Sequence, residues 1–188
     1  MATVTVFPNG DGTISGWSDE SSGTTNLYTK IDEGTASPND GDYVSTSSQN
    51  QNVYFQLGEM PSDFGTATGV AIKLRLARTS SKGDYRSFHD CQLVQSNQTT
   101  AISTAATISE STTITTYSFS PTITGATTKE AWDGMRLRVK TGVGSSGSCR
   151  IYAAQVEVTY TPSSGRLARS ASLEGLGGSG MQGVNPVL

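Results

Sequence analysis

Apolar and polar side chains alternate with a two-residue period along most of residues 1–162. Val70, Ile72, Leu74 and Leu76 stand against Ala71, Lys73, Arg75 and Ala77, the signature of a half-buried strand with an unambiguous inner face. Met135, Leu137 and Val139 against Arg136, Arg138 and Lys140 repeat that logic, and Val53, Phe55 and Leu57 give a third strand. In a fourth, Tyr152, Ala154, Val156, Val158 and Tyr160 share one face. Its other face begins apolar, with Cys149, Ile151 and Ala153, and turns polar at Gln155, Glu157 and Thr159. This strand is predicted to run through the middle of a sheet and to be covered on both faces only at its start. Weaker patterns predict strands at Thr3–Phe7, Leu27–Ile31, Phe88–Gln95, Ala101–Ile108 and Thr113–Phe119.

Turn signals separate these segments: Pro8-Asn9-Gly10-Asp11-Gly12, Ser37-Pro38-Asn39-Asp40-Gly41, Lys82-Gly83-Asp84 and Gly142 through Gly147. The one candidate turn of helix is Thr128-Lys129-Glu130-Ala131-Trp132, short enough to cap one end of the body. About nine or ten short strands without a long amphipathic helix predict an all-β fold, an antiparallel two-sheet sandwich of jelly-roll type over residues 2–162. Val70, Ile72, Leu74, Leu76, Met135, Leu137, Val139, Val156 and Val158 are its predicted core. No internal repeat is present, which argues against propellers and solenoids.

Composition sharpens this picture. Charged residues make up 15% of the 188 residues, against roughly 25% in ordinary soluble proteins, while Gly, Ser and Thr abound. Thr suits a pleated surface and Gly supplies turn geometry. A net charge of −3 provides no overall basic field, so nucleic acid is not expected as a partner. The start Met1-Ala2-Thr3-Val4-Thr5-Val6-Phe7 lacks the basic and apolar regions of a secretory signal, and no stretch approaches a membrane span. The expectation is synthesis in a cytoplasm, with no membrane partner.

Catalytic chemistry is poorly supplied. His89 is the lone histidine, so a two-His metal motif is impossible. It precedes Asp90 and Cys91, and a Cys with a His can form a nucleophile pair. Two residues apart on a strand, however, they share a face without a third orienting group. No nucleophile elbow, phosphate-cradling loop or dinucleotide fingerprint occurs. Cys91 and Cys149 read as two reduced, partly buried thiols, the alternative being a bridge that staples neighbouring strands. Asp32, Glu33, Asp40 and Asp42 could supply hard oxygens to Ca²⁺, or paired carboxylates for glycoside hydrolysis, but such residues equally form turns. No cofactor is expected.

Two features point to binding. Lys73, Arg75, Arg136, Arg138 and Lys140 hold five of the 13 basic residues on only two strands. If those strands lie in one sheet, their outer faces make a basic docking surface, and otherwise they simply keep the sheet solvated. Beyond Pro162 the chain turns Gly- and Ser-rich, so residues 163–188 read as an arm that cannot build its own core. Leu167, Leu173, Leu176, Met181, Val184, Val187 and Leu188 would be its partner-binding side chains. Domain organisation is thus a sandwich at 1–162 and an arm at 163–188.

The run Trp17 … Leu27-Tyr28-Thr29-Lys30-Ile31-Asp32-Glu33 … Asp40-Gly41-Asp42-Tyr43-Val44 resembles the opening of small β-sandwich structural proteins of tailed bacteriophages. Trp132 through Val139 and Ile151 through Pro162 resemble their last two strands. That resemblance implies a non-enzymatic virion component, such as a capsid decoration, collar or tail protein. Its partners would be other virion proteins and copies of itself, docked through the sheet and the arm. The alternative is a carbohydrate-binding jelly roll, whose surface aromatics would be Trp17, Tyr28, Tyr43 and Tyr54, with a glycan as partner.

Overall fold

A computed structural model describes residues 1–80, 87–125 and 128–163. Within them the strands are β1 (Ala2–Val6), β2 (Pro8–Ile14), β3 (Ser18–Asp19), β4 (Val44–Thr46), β5 (Asn52–Leu57) and β6 (Phe64–Arg78). They continue as β7 (Phe88–Val94), β8 (Ala106–Thr107), β9 (Thr115–Phe119), β10 (Arg136–Thr141) and β11 (Cys149–Pro162). One antiparallel sheet runs β3-β4-β11-β6-β9, with β1 also on β11, and the other runs β2-β5-β10-β7-β8. In these sheets β4 lies beside β11, β5 beside β10, β6 beside β9 and β7 beside β8. The chain is thus a long hairpin folded over into two layers, a jelly-roll arrangement.

Alternation sets the inner faces. All nine predicted core residues are buried in one cluster, joined by Phe55, Leu57, Leu93, Ile151 and others. Truncating a fully buried member such as Leu74 would cost about 2–5 kcal/mol. Strand β11 is buried on both faces from Ile151 to Val156 and on one face after that, as its changing pattern predicts. At one end a short helix, α1 (Lys129–Asp133), is capped by the Thr128 hydroxyl, which accepts from the Ala131 N–H at 3.4 Å. Trp132 on that helix is fully buried, its ring 5.8 Å from Phe64.

Three local expectations are corrected. Leu27–Lys30 is a 3₁₀ turn rather than a strand. Buried Leu27 and Ile31 are four residues apart, and the Asp11 carboxylate accepts from the Leu27 and Tyr28 N–H groups at 2.9 Å each. Of the strand expected at 101–108 only Ala106–Thr107 pairs regularly. The turn expected at Pro8–Gly12 is instead the start of β2. Its Gly12 has a steric reason: a Cβ there would lie 2.8 Å from Tyr54 Cβ and 2.9 Å from the Tyr54 carbonyl oxygen. Glycine lets β2 approach β5 at that point.

Candidate functional site

The predicted basic surface is split between the two layers. Lys73 and Arg75 lie on β6 in the six-stranded sheet, whereas Arg136, Arg138 and Lys140 lie on β10 in the five-stranded one. Side chains on the outsides of two stacked sheets point in opposite directions, so the five cations form no single face. On the six-stranded sheet both predicted cations are matched. Lys73 Nζ is 2.5 Å from Glu157 Oε1, and Arg75 holds Asp40 through two hydrogen bonds of 2.6 and 2.5 Å. Those bonds hold the Asp40 carboxyl below the usual aspartate range. This side is also partly roofed: Thr35 donates to Gln155 at 2.8 Å, and Tyr43 packs on Tyr152 beneath the Arg150 guanidinium.

The five-stranded sheet presents a different outer surface. Arg138 is directly opposite Tyr54 on β5 and Gln92 on β7, which makes a row across the three central strands. Flanking rows are Gln56–Arg136–Val94 and Asn52–Lys140–Asp90. With strands about 4.8 Å apart and about 6.8 Å between alternate residues, the nine positions cover roughly 10 by 14 Å. At the Arg136 end the loop after β7 forms a rim. There the Ser96 carbonyl accepts from Arg136 Nε at 3.3 Å, and Gln98 Oε1 accepts from the Thr13 N–H at 3.3 Å. No enclosed pocket is found among the described residues, so this is an open platform.

Tyr54 is half-buried, and its ring makes no aromatic or cation contact among the described residues. Other predicted surface aromatics are engaged. Trp17 is 1% exposed and packs near Phe88, Tyr28 packs against the core, and Tyr43 is sandwiched as above. Beside Tyr54 runs a charged chain in which His89 Nδ1 is 2.6 Å from Asp90 Oδ2 and Asp90 Oδ1 accepts from Arg138 Nη2.

The remaining candidates are dispersed. His89 and Cys91 do not share a face, contrary to their spacing. An extra residue in β7 opposite Lys140/Thr141 sends His89 outward, while Cys91 faces the core opposite Val139. Burial pushes the Cys91 thiol up to about 12, the reverse of an activated nucleophile. Cys91 and Cys149 are both buried as thiols, one in each sheet. Asp32, Glu33, Asp40 and Asp42 do not gather as ligands: Asp40 is held by Arg75 and Asp42 by Asn39. No group of three or more His, Cys, Asp or Glu comes together among the described residues. The arm side chains Leu167, Leu173, Leu176, Met181, Val184, Val187 and Leu188 lie outside the described residues. Gln92, Asn52 and Gln56 were missed as site residues, although the inward positions of Val53, Phe55 and Leu57 already place 52, 54 and 56 outside.

No family model and no curated protein matches the chain. A solved structure that does match is a family 29 carbohydrate-binding module from Piromyces equi, with a TM-score of 0.36 and 11% identity. The match covers 84% of this chain and 91% of that one. The expected role as a virion component is corrected here. The solved structure found is a carbohydrate-binding module and not a phage protein, and the basic face through which such a component was expected to dock is divided between opposite sides of the sandwich. Among the described residues no helix is long and apolar enough to cross a membrane.

Proposed function

We propose that the protein is a carbohydrate-binding module that holds a glycan on the outer face of its five-stranded sheet and performs no catalysis itself. The observation that carries this reading is the Tyr54–Arg138–Gln92 row on an open platform. A sugar ring has an apolar face of C–H groups and a rim of hydroxyls. An uncommitted tyrosine ring receives the first by stacking, much as it receives other flat apolar groups. Gln56 carries both donors and acceptors, the Asn52 amide can donate, and the Gln92 carbonyl can accept while its amide nitrogen donates to the Ser103 carbonyl at 2.8 Å. Arg138 adds donors in a fixed plane, which suits hydroxyls that donate and accept. Strand pairing spaces these groups on a rigid sheet, so little ordering is needed on binding.

Affinity electrophoresis of the full chain through gels containing single soluble polysaccharides tests the reading. At least one polymer should retard it, and Tyr54→Ala should weaken that retardation about tenfold or more without altering the thermal unfolding midpoint. No retardation by a broad panel, or full retention of binding by Tyr54→Ala, would refute it. Release of new reducing ends from a bound polymer would refute the non-catalytic part.

A further inference from the structure

The charges on the platform are left unbalanced. Lys73 and Arg75 each have a carboxylate, whereas Arg136 and Lys140 form no ion pair among the described residues. The one carboxylate in the nine-residue patch, Asp90, is already shared by Arg138 and His89. Arg136 has only a neutral acceptor, the Ser96 carbonyl. Beneath the surface, Arg136 Nη1 and Arg138 Nε meet no acceptor, so Asp90 is the one carboxylate that balances the guanidiniums of this row. Three cations therefore stand in line along β10, at about 7 Å intervals, against that single carboxylate, on a chain whose net charge is −3.

From this imbalance we infer that the glycan is acidic: the platform recognises a polysaccharide bearing carboxylates, a polyuronate, rather than a neutral one. The inference rests on the glycan reading above and adds the ligand's charge. Charge-assisted bonds from a guanidinium or an ammonium group to a carboxylate are about twice as strong as neutral ones. A repeating row of cations also suits a polymer with a carboxylate on successive sugars, because each ring that settles near Tyr54 brings neighbouring acid groups over Arg136 and Lys140. Asp90 would repel such a ligand were it unpaired, and its two bonds to Arg138 and His89 turn it away from that role.

The test compares retardation of the full chain in gels containing polygalacturonate, the same polymer fully methyl-esterified, and a neutral β-glucan. Esterification keeps the sugar backbone and removes only the charge. Retardation is expected in the free acid alone, and it should fade as salt rises from about 0.05 to 0.3 M, because exposed charges are screened over ~10 Å or less. The double variant Arg136→Gln/Lys140→Gln should bind the free acid about tenfold more weakly or worse. Should that variant fail to fold, Lys140→Gln alone is expected to show a smaller loss in the same direction. Equal retardation by the acid and its ester, or by the β-glucan alone, overturns the acidic ligand and leaves the glycan reading intact. Silence in all three gels and in the wider panel overturns both. Binding of a single-stranded oligonucleotide with polyuronate ignored would assign the cations to phosphates and overturn it too.

Discussion

His89 and Asp90 are consecutive in β7, yet their side chains meet on the outer side of the sheet, with His89 Nδ1 2.6 Å from Asp90 Oδ2. A regular strand would send them to opposite faces. The register shift opposite Lys140/Thr141 inserts His89 as an extra residue and re-aims its side chain, a common use of a bulge. Asp90 is thereby held from two sides, by His89 and by Arg138, and it fixes the guanidinium at the centre of the platform.

Asp90→Asn should therefore loosen the platform as well as the fold. Asp90 and Arg138 have side chains only 10% and 21% exposed, so the lost charge-assisted bond is worth about 1–3 kcal/mol rather than the near-zero value of a surface pair. Urea unfolding at pH 7 measures the stability loss. Affinity for the retarding polymer should fall as well, since Arg138 loses its anchor. An unchanged unfolding midpoint would show that the pair contributes only to positioning.

Gly12→Ala is expected to destabilise the platform from its edge. The new Cβ meets the Tyr54 backbone oxygen at 2.9 Å, and a backbone atom in a paired strand cannot swing aside as a side-chain tip can. Forced displacement of this kind costs about 1–3 kcal/mol. The thermal midpoint should fall, and glycan binding should weaken as β2 pulls away from β5. Gly10→Ala is the control, because its nearest neighbour is the flexible Gln56 side chain at 3.4 Å.

The sandwich was legible because its strands bury one face: Val70 through Leu76 and Met135 through Val139 can satisfy their alternation in only one way. Which strands share a sheet was not legible. Two-residue periodicity says which side of a strand is inward but carries no record of its neighbours, so β6 and β10 read as candidates for one basic face when they lie in different layers. Bulges are equally silent, which hid the meeting of His89 and Asp90. At Pro8–Gly12 the glycines signalled a turn where they serve close strand approach, and Trp17, read as a surface aromatic, is buried in the core. Tyr54 was visible as a surface aromatic, while the row it forms depended on the unread pairing.

Stability at alkaline pH should depend on Cys91. Its thiol titrates at about 12 in the fold because burial disfavours the thiolate, against an ordinary value of 9.0. The unfolded chain therefore releases this proton first. Stability is unaffected below the ordinary value and falls as pH rises from there towards the folded value, by up to about 1.4 kcal/mol per unit. Cys91→Ala removes that slope, so urea midpoints of the two proteins should converge as pH goes from 8 to 10.5, after allowance for the constant cavity cost. Parallel profiles would mean that the thiol reaches solvent in the native state, and iodoacetamide would then label it without denaturant.

Glu110 supplies a test of opposite direction, on the acid side. Its side chain is 3% exposed, and Arg78 Nη1 lies 3.9 Å from its Oε1, too long for a hydrogen bond. Burial outweighs the hydrogen bonds from the Glu110 and Phe88 backbone and that distant cation, and raises the carboxyl above its ordinary 4.5. The folded state thus holds this proton more tightly than the unfolded chain does. Ionised Glu110 penalises the fold at neutral pH, and the penalty is relieved as pH falls through the folded value towards the unfolded one. Gln at this position keeps the shape and removes the charge. Glu110→Gln should therefore be at least as stable as the parent at pH 7, with the difference shrinking as pH approaches about 4.5. Urea unfolding of both proteins at pH 7, 6 and 5 follows this convergence. A variant clearly less stable at pH 7 would mean that the backbone hydrogen bonds and the attraction to Arg78 together exceed the cost of burial, and that the carboxylate is a stabilising partner in that corner of the sandwich.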